Sequence, residues 1–299
     1  HDGWMIYGAN GYTGRLVAQK AAAAGQRPLL AGRRRGAVEA LATELGLDYR
    51  VFSLEATDEI VHNLREMRVV AHCAGPFSAT AEPMMDACLA AKTNYCDITG
   101  DIDVIEAGAR RDEEARAAGI ALMPAVGFDV VPTDCLAAFL AAEMPNATKL
   151  ELAFDPGDSP TSPGTTKTMI ESLPRGGFVR SGGDIVHVPT AHEAVQLPFS
   201  TGTRWAVSIP WGDVASAYYS TGIGNIVVYT AMPPGRIKWM RRLRPLLKLA
   251  GVGFVRRFLM NAVERRVSGP DAQQRENDRV ALWGRVSDDQ GNTVSATLE

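Results

Sequence analysis

Seven residues near the amino terminus, Gly8-Ala9-Asn10-Gly11-Tyr12-Thr13-Gly14, restrict the fold more than any other part of the chain. The residues before them, Trp4–Gly8, form a short apolar run that reads as a strand, and a helical pattern follows. Each glycine in such a junction has its own purpose. Gly8 permits the sharp exit from the strand, Gly11 lets backbone approach a pyrophosphate, and Gly14 lets the helix pack closely on the sheet. The helix start offers N–H groups and a partial positive charge to phosphates. The glycine spacing alone is weak evidence; its place at a strand-to-helix junction gives it weight. Gly8, Asn10, Gly11, Tyr12, Thr13 and Gly14 are therefore read as the contacts of a dinucleotide.

The surrounding sequence supports that placement. Strands are expected at Trp4–Gly8, Pro28–Gly32, Tyr49–Leu54, Val69–Ala74, Tyr95–Ile98 and Ile120–Pro124, alternating with helical patterns. Val38, Leu41, Ala42 and Leu45 make one apolar stripe, with Gly46 as its stop. Asp58 reads as the cap of a helix burying Ile60, Val61, Leu64 and Met67. A helix carrying Ile102, Ile105 and Ala109 is read as running out at Gly119, and another covers about Pro132–Met144. The expected fold class is α/β: a Rossmann-type doubly wound parallel sheet in residues 1–130. Beyond Pro145 the texture changes to strand-like segments at 148–154, 184–188, 204–209 and 225–231, separated by Gly, Pro and Ser. Arg279–Ser287 and Thr293–Leu298 read as a hairpin. Residues 131–299 are thus expected to form a second α+β domain on a mostly antiparallel sheet, for substrate binding or dimerisation. Ending just after a strand, that domain reads as cut short.

The second strand runs into Arg33-Arg34-Arg35, and no acidic residue occurs between Arg15 and Glu39. An NAD site usually places a carboxylate here for the ribose 2′-hydroxyl, whereas arginine suits the 2′-phosphate of NADP. Arg33 and Arg34 therefore point to NADP(H).

Composition narrows the rest. With 299 residues, 46% of them hydrophobic, and a net charge of −3, the chain is globular and gives no reason to expect a nucleic-acid partner. Its four cysteines contain no C-x-x-C pair, so no metal site or disulfide framework is indicated and a cytoplasmic location is the simplest expectation. No apolar run is long enough for a spanning helix.

Several segments then combine into a resemblance. Gly8–Gly14, Ala71-His72-Cys73-Ala74-Gly75-Pro76-Phe77, Tyr95-Cys96-Asp97-Ile98-Thr99-Gly100-Asp101 and Gly127-Phe128-Asp129-Val130-Val131-Pro132-Thr133-Asp134 carry it in the first half. Gly164-Thr165-Thr166, Gly176–Arg180 and Ile209–Asp213 carry it in the second. The chain resembles the saccharopine-dehydrogenase-like oxidoreductases, and within them the branch that includes mycobacterial trans-acting enoyl reductases. The resemblance implies an NADP-binding domain, an α+β domain and hydride transfer, with reduction of an enoyl C=C bond in lipid or polyketide metabolism. Imine or carbonyl reduction of the saccharopine-reductase type is the enzymatic alternative. A non-catalytic NADP-binding sensor or scaffold is the alternative of a different class.

Position adds candidate residues. Cys73, Ala74, Gly75, Pro76 and Phe77 follow the fourth strand, and Gly127 and Phe128 follow the sixth, where open α/β sheets bind ligands. All seven are read as cofactor contacts. Asp129 is the first choice for the catalytic proton donor, with Asp97 and Tyr95 as the others, because desolvation in a closed crevice raises a carboxyl pKa. Asp101 and Asp134 read instead as cap or first-turn residues. In the second domain Arg175, Arg180, Arg204, Thr165, Thr166 and Lys167 are candidates for holding a small-molecule or carrier-bound acyl substrate.

Residues 236–257 hold eight cations and no acid, interleaved with Trp239, Leu246, Phe254 and other apolar residues. A basic amphipathic stretch of this kind can lie at the inner face of a membrane or dock a synthase, but a packed helical hairpin with solvated cations is the favoured reading. A second copy of the chain is a further candidate partner.

Overall fold

The computed structural model describes residues 2–157, 161–247, 251–267, 269–270, 273–274 and 278–299. The chain divides into two compact units, His1–Phe128 and Asp129–Glu299.

The first unit alternates strand and helix: β1 (Trp4–Tyr7), α1 (Tyr12–Ala23), β2 (Leu29–Gly32), α2 (Arg35–Leu45), β3 (Tyr49–Val51), α3 (Thr57–Leu64) and β4 (Val69–His72). It continues with α4 (Phe77–Ala91), β5 (Asn94–Asp97), α5 (Ile102–Arg110), α6 (Asp112–Ala118) and β6 (Leu122–Met123). The six strands are all parallel, in the order β3-β2-β1-β4-β5-β6. That is the Rossmann order, and its direction reverses between β1 and β4, where ligands bind such sheets. Helices cover both faces because the strands are apolar on both. Met5 and Tyr7 pack with Val70, Met84 and Tyr95 on one side, while Ile6 and Leu30 pack with Ala18, Val38 and Leu41 on the other.

Local chemistry explains the element ends, with three departures from the sequence reading. Gly46 and Gly119 end α2 and α6 in left-handed conformation, as their lack of a Cβ favours. Asp58 is not a cap: Ala56 takes that position, and Asp58 lies in the first turn of α3 with its charge toward the helix dipole. The helix read as running to Gly119 is two helices meeting at Arg111. The strands themselves are shorter than the apolar runs, since residues such as Phe52 and Ala74 leave the ladder at the sheet edge.

The second unit opens with α7 (Val131–Glu143), β7 (Lys149–Asp155) and α8 (Pro163–Ser172), then β8 (Gly177–Ser181), β9 (Asp184–Val188), β10 (Ala194–Phe199) and β11 (Gly202–Ser208). There follow α9 (Asp213–Thr221), β12 (Asn225–Ala231), α10 (Pro234–Arg242), α11 (Arg244–Leu247), α12 (Gly253–Arg266), β13 (Ala281–Ser287) and β14 (Thr293–Leu298). Among the described residues the strands form one sheet with the path β10-β11-β12-β7-β13-β14, and the hairpin β8–β9 attached to β12. All its pairs are antiparallel except β7 with β12. The second unit is therefore α+β on a mostly antiparallel sheet. Strands β8 and β10 were not legible as strands, because Gly176-Gly177 and Pro198 read as turn residues. At Gly284 a Cβ would lie 2.7 Å from Leu140 Cδ1, so the glycine is what lets α7 lie directly on β13.

One residue in this unit is placed against electrostatics. Asp213, the first residue of α9, is fully buried, and neither carboxylate oxygen has a hydrogen-bond partner. The nearby Thr133 hydroxyl donates to Val130 O at 2.9 Å. Burial raises the Asp213 pKa well above 3.8; the neighbouring Thr133 side chain opposes the rise, and the Asp134 and Asp129 charges add to it. The folded chain therefore binds a proton here that the unfolded chain releases above its own carboxylate pKa, so stability falls as pH rises through that window. Asp213→Asn removes the charge and keeps the shape. Its thermal midpoint is expected to exceed that of the parent at about pH 8, with a weaker dependence on pH down to about 5, in calorimetry. A parent-like pH slope would show that Asp213 carries none of it.

Candidate dinucleotide site

The phosphate loop follows β1 without a break. Gly8 N and Ala9 N both donate to Ala31 O on β2, at 2.8 and 3.1 Å, and Gly11 N donates back to Gly8 O at 2.9 Å. Gly8 has φ +82°, and a Cβ on it would fall 2.7 Å from Ala74 N and 2.8 Å from Ala74 Cβ. A side chain at Gly14 would strike Gly8 O and stand 3.0 Å from Ala9 Cα. A side chain at Gly11 would lie 3.2 Å from Gly8 O, within the concavity of the loop. Helix α1 starts at Tyr12 with Gly11 as its cap residue, no side-chain cap and no acid in its first turn. Its first amides thus have no intrahelical acceptor and face a loop that carries no competing negative charge, which suits a diphosphate. Asn10, Tyr12 and Thr13 lie in the same turn; a Cβ at Gly32 would stand 3.1 Å from Asn10 Oδ1, which places Asn10 over the end of β2.

Arg33 and Arg34 emerge directly from the end of β2, both exposed, and Arg34 is the cap residue of α2. The strand end brings them to the edge of the phosphate loop, the position that the 2′-phosphate of NADP requires. The residues that line this cradle fit the dinucleotide: glycines where a Cβ would fill the space, open amides, and guanidinium groups beside them.

The loop after β4 is held from below. Cys73 N donates to Tyr7 O at 2.7 Å, tying it to β1. The Thr80 hydroxyl lies 2.7 Å from Ala74 O, 3.0 Å from Pro76 O and 3.1 Å from His72 Nε2. A hydroxyl has one hydrogen, and two carbonyls already claim it, so His72 must donate from Nε2. His72 is neutral in keeping with this, its pKa pushed down to about 3 by complete burial, and its ring packs against Tyr7, Phe77 and Tyr95. Gly75 and Pro76 remain exposed, while Phe77 opens α4. Sequence reasoning passed over Thr80; a hydroxyl one turn into the helix after an Ala-Gly-Pro loop was the available signal. Burial raises the Cys73 thiol to about 12, and the Cys96 thiol to about 11, so neither is a nucleophile near neutral pH.

Tyr95 and Asp97, read as proton donors, are brought together but turned inward. Both are almost fully buried, and the Tyr95 hydroxyl donates to Asp97 Oδ2. Asp97 Oδ1 accepts from Thr99 N at 3.0 Å and Ala125 N at 2.8 Å, and Asp97 O accepts from Val126 N at 2.8 Å. Ala125 has φ +63°, a conformation that costs an alanine about 1–2 kcal/mol. Asp97 thus shapes the chain as it leaves β6. Gly127 packs where a Cβ would stand 3.1 Å from Ile98 Cβ, and Met123, Val126 and Phe128 of this segment expose large apolar side chains.

Asp129 begins the second unit. It is part-buried, its backbone carbonyl accepts from Trp211 Nε1, and burial raises its carboxyl to about 6. Asp101 and Asp134 have the structural uses expected of them. Asp101 caps α5 by accepting from Asp103 N at 3.1 Å, and Asp134 accepts from Ser216 Oγ and Ser220 Oγ at 3.0 and 2.6 Å. Of the second-unit candidates, Arg180 proves structural: it is buried, donates to Val214 O and Gly183 O at 2.8 and 2.6 Å, and stacks 4.3 Å over the Tyr218 ring. Arg204 faces Asp155 at 3.6 Å and Arg175 lies over Phe178 at 5.5 Å. Thr165 and Thr166 belong to the start of α8, where Thr165 N donates to Ser162 Oγ and the Thr166 hydroxyl donates to Ser162 O. Among the described residues no group of three or more His, Cys, Asp or Glu could hold a metal ion.

Comparison with known proteins agrees with this geometry. Residues 4–123 match the family model of the saccharopine dehydrogenase NADP binding domain. A Mycobacterium tuberculosis protein named among the trans-acting enoyl reductases is 33% identical over 144 residues, covering 44% of this chain and 33% of that protein. The trans-acting enoyl reductase of Mycobacterium leprae is 29% identical over 138 residues, again 44% of this chain and 33% of its own length. The match thus spans about a third of these relatives. Apo saccharopine dehydrogenase (L-Glu forming) from Saccharomyces cerevisiae is similar in fold, with a TM-score of 0.64 at 13% identity over 100% of this chain and 85% of that one. The amino-terminal unit is thus similar over residues 4–123 to the saccharopine dehydrogenase NADP binding domain, its cofactor is NADP(H), and the chain as a whole has a fold similar to that of saccharopine dehydrogenase.

Proposed function

We propose that the protein is an NADPH-dependent reductase acting on the activated C=C bond of an acyl group, free or carrier-bound. The observation that carries the reading is the pairing of an arginine-flanked NADP cradle with an apolar segment, Met123–Phe128, at the exit of β6. Trans-acting enoyl reductase is also the name borne by the mycobacterial relatives. Gly8, Asn10, Gly11, Tyr12, Thr13 and Gly14 hold the diphosphate, and Arg33 and Arg34 hold the 2′-phosphate. Cys73, Ala74, Gly75, Pro76, Phe77, Gly127 and Phe128 wall the remainder of the coenzyme. The bound coenzyme supplies a hydride to the β-carbon. Asp129, protonated through its raised pKa, gives the α-carbon its proton, and its carboxylate is recharged from solvent. The exposed apolar side chains Met123, Val126 and Phe128 offer an acyl chain a surface and keep water from it. Tyr95 and Asp97 position the segment after β6 rather than exchange protons.

Stopped-flow absorbance of NADPH separates the reaction classes. Rapid oxidation with enoyl thioesters, and not with imines or ketones, is the expected result; the reverse preference would assign a different reductase, and tight binding without turnover a sensor. Arg33→Ala with Arg34→Ala should weaken NADPH by about 10- to 100-fold, the worth of charge-assisted hydrogen bonds, and leave NADH nearly unchanged. Equal losses for both coenzymes in calorimetry would contradict the 2′-phosphate assignment. Because Asp129 must donate a proton, kcat should fall as pH rises through about 6. Asp129→Asn should abolish that limb and lower kcat by about 100-fold or more. An unaltered pH profile would remove Asp129 from the reaction.

A further inference from the structure

The run of cations in residues 236–257 is used by the fold only in part. Arg241 donates to Ala191 O and His192 O at 2.8 and 3.0 Å, and Arg244 donates to Thr190 O and Ala191 O at 2.7 and 3.0 Å. These two clamps, with Ile237 buried beneath, fix α10 and α11 on the loop before β10. The outer face of α10 is left with Arg236, Trp239 and Arg242 at helical spacing, all exposed, Trp239 at 64%.

Helix α12 repeats the arrangement more strongly. Its inner side carries Val255, Leu259, Met260 and Val263, part-buried to buried, and it packs against α8. A surface helix satisfied on that side should be polar on the other. Instead Phe254 and Phe258, at i and i+4, stand 77% and 72% exposed, and with Arg257 and Asn261 they line one shallow hollow. Arg256, two residues from each, is exposed on another side of the helix, and Leu246 and Val252 add exposed apolar side chains. Lys248 and Leu249 lie outside the described residues. None of the described helices is long and apolar enough to cross a membrane, and the 14 residues of α12 fall well short of the ~20 that a span requires.

We propose that α10 and α12 form a peripheral docking surface for an anionic lipid bilayer. Trp239, Phe254 and Phe258 enter the headgroup region, while Arg236, Lys238, Arg242 and Arg257 meet lipid phosphates. Charge complementarity argues for this occupant: besides the clamped Arg241 and Arg244, residues 236–257 contain six cations and no acid. Aromatic residues beside arginine also partition to the boundary between water and acyl chains. Aromatics this exposed, around a hollow no deeper than a few side chains, suit insertion into a soft interface. The assignment stands independently of the reductase reading, since it uses no residue placed in the nucleotide site.

Flotation of the whole chain with vesicles tests it. Phosphatidylcholine vesicles mixed with phosphatidylglycerol should bind the chain at least about tenfold better than phosphatidylcholine alone, because each basic residue gains from the anionic surface. The advantage should disappear at about 1 M salt, where charges are screened beyond ~3 Å. Phe254→Ser with Phe258→Ser should lower partition about tenfold while circular dichroism and NADPH affinity stay unchanged. Arg242→Gln with Arg257→Gln, also at exposed positions, is a second variant expected to lower it. Trp239→Phe should remove a vesicle-induced blue shift of fluorescence. Equal binding to both vesicle types, binding to neither, or full binding by the two multiple variants would overturn the proposal. Acyl carrier protein serves as an acidic protein probe: its capture by these residues without vesicle binding would likewise overturn the lipid assignment.

Discussion

Where β1 ends, the backbone of Gly8 comes against the backbone of Ala74 at the end of β4, closer than any side chain at that position permits. The two strands are neighbours in the parallel sheet, paired from Trp4–Val69 to Tyr7–His72. Their following loops therefore leave the sheet side by side at the point where strand order reverses. The phosphate loop, tied to β2 by its own hydrogen bonds, also packs on the loop after β4, and that loop rests on Thr80 and a neutral His72. A nucleotide site built this way is a property of two loops in contact and of the core beneath them. Tyr7 and His72 belong to both, each a strand residue whose ring closes the hydrophobic layer under the site.

Buried carboxylates are treated in two ways. Asp97 lies in a shell of donors, Tyr95 Oη, Thr99 N and Ala125 N, and uses them to hold Ala125 in a conformation the residue would otherwise avoid. Burial still raises its pKa, and those hydrogen bonds oppose the rise. Asp213 has no such shell, and its proton is the least costly answer to burial. Asp129 falls between the two, with a pKa near 6 from burial alone, the range in which a carboxyl is useful for moving protons near neutrality.

The arginines divide along similar lines. Arg180, Arg241 and Arg244 have their forks filled by backbone carbonyls and act as struts within the second unit. Arg33, Arg34 and Arg257 stand in solvent at the end of β2 and on α12, where a planar guanidinium can meet a phosphate. Sequence shows all of them as the same residue type. Only the carbonyls that happen to lie within reach distinguish a strut from a binding group.

The amino-acid sequence by itself determined the Rossmann-type parallel sheet of the first unit, the glycine turn between β1 and α1, and the NADP preference. These rest on local signals: three glycines at a strand-to-helix junction, apolar strands alternating with helical stripes, and arginines where a carboxylate would otherwise stand. The α+β nature of the second unit was legible for the same reason, from short strands between turn residues. Tertiary structure alone decided which polar residues are spent inside the fold. Tyr95 and Asp97 read as free acids until β6 and Ala125 are laid beside them; Arg180 reads as a ligand group until Tyr218 and Val214 O enclose it. Strands β8 and β10 became strands by pairing in hairpins with β9 and β11, despite glycine and proline within or beside them. The physical reason for the polar residues is that burial and hydrogen-bond partnership depend on neighbours distant in sequence, whereas turn geometry and helix periodicity are written in adjacent residues.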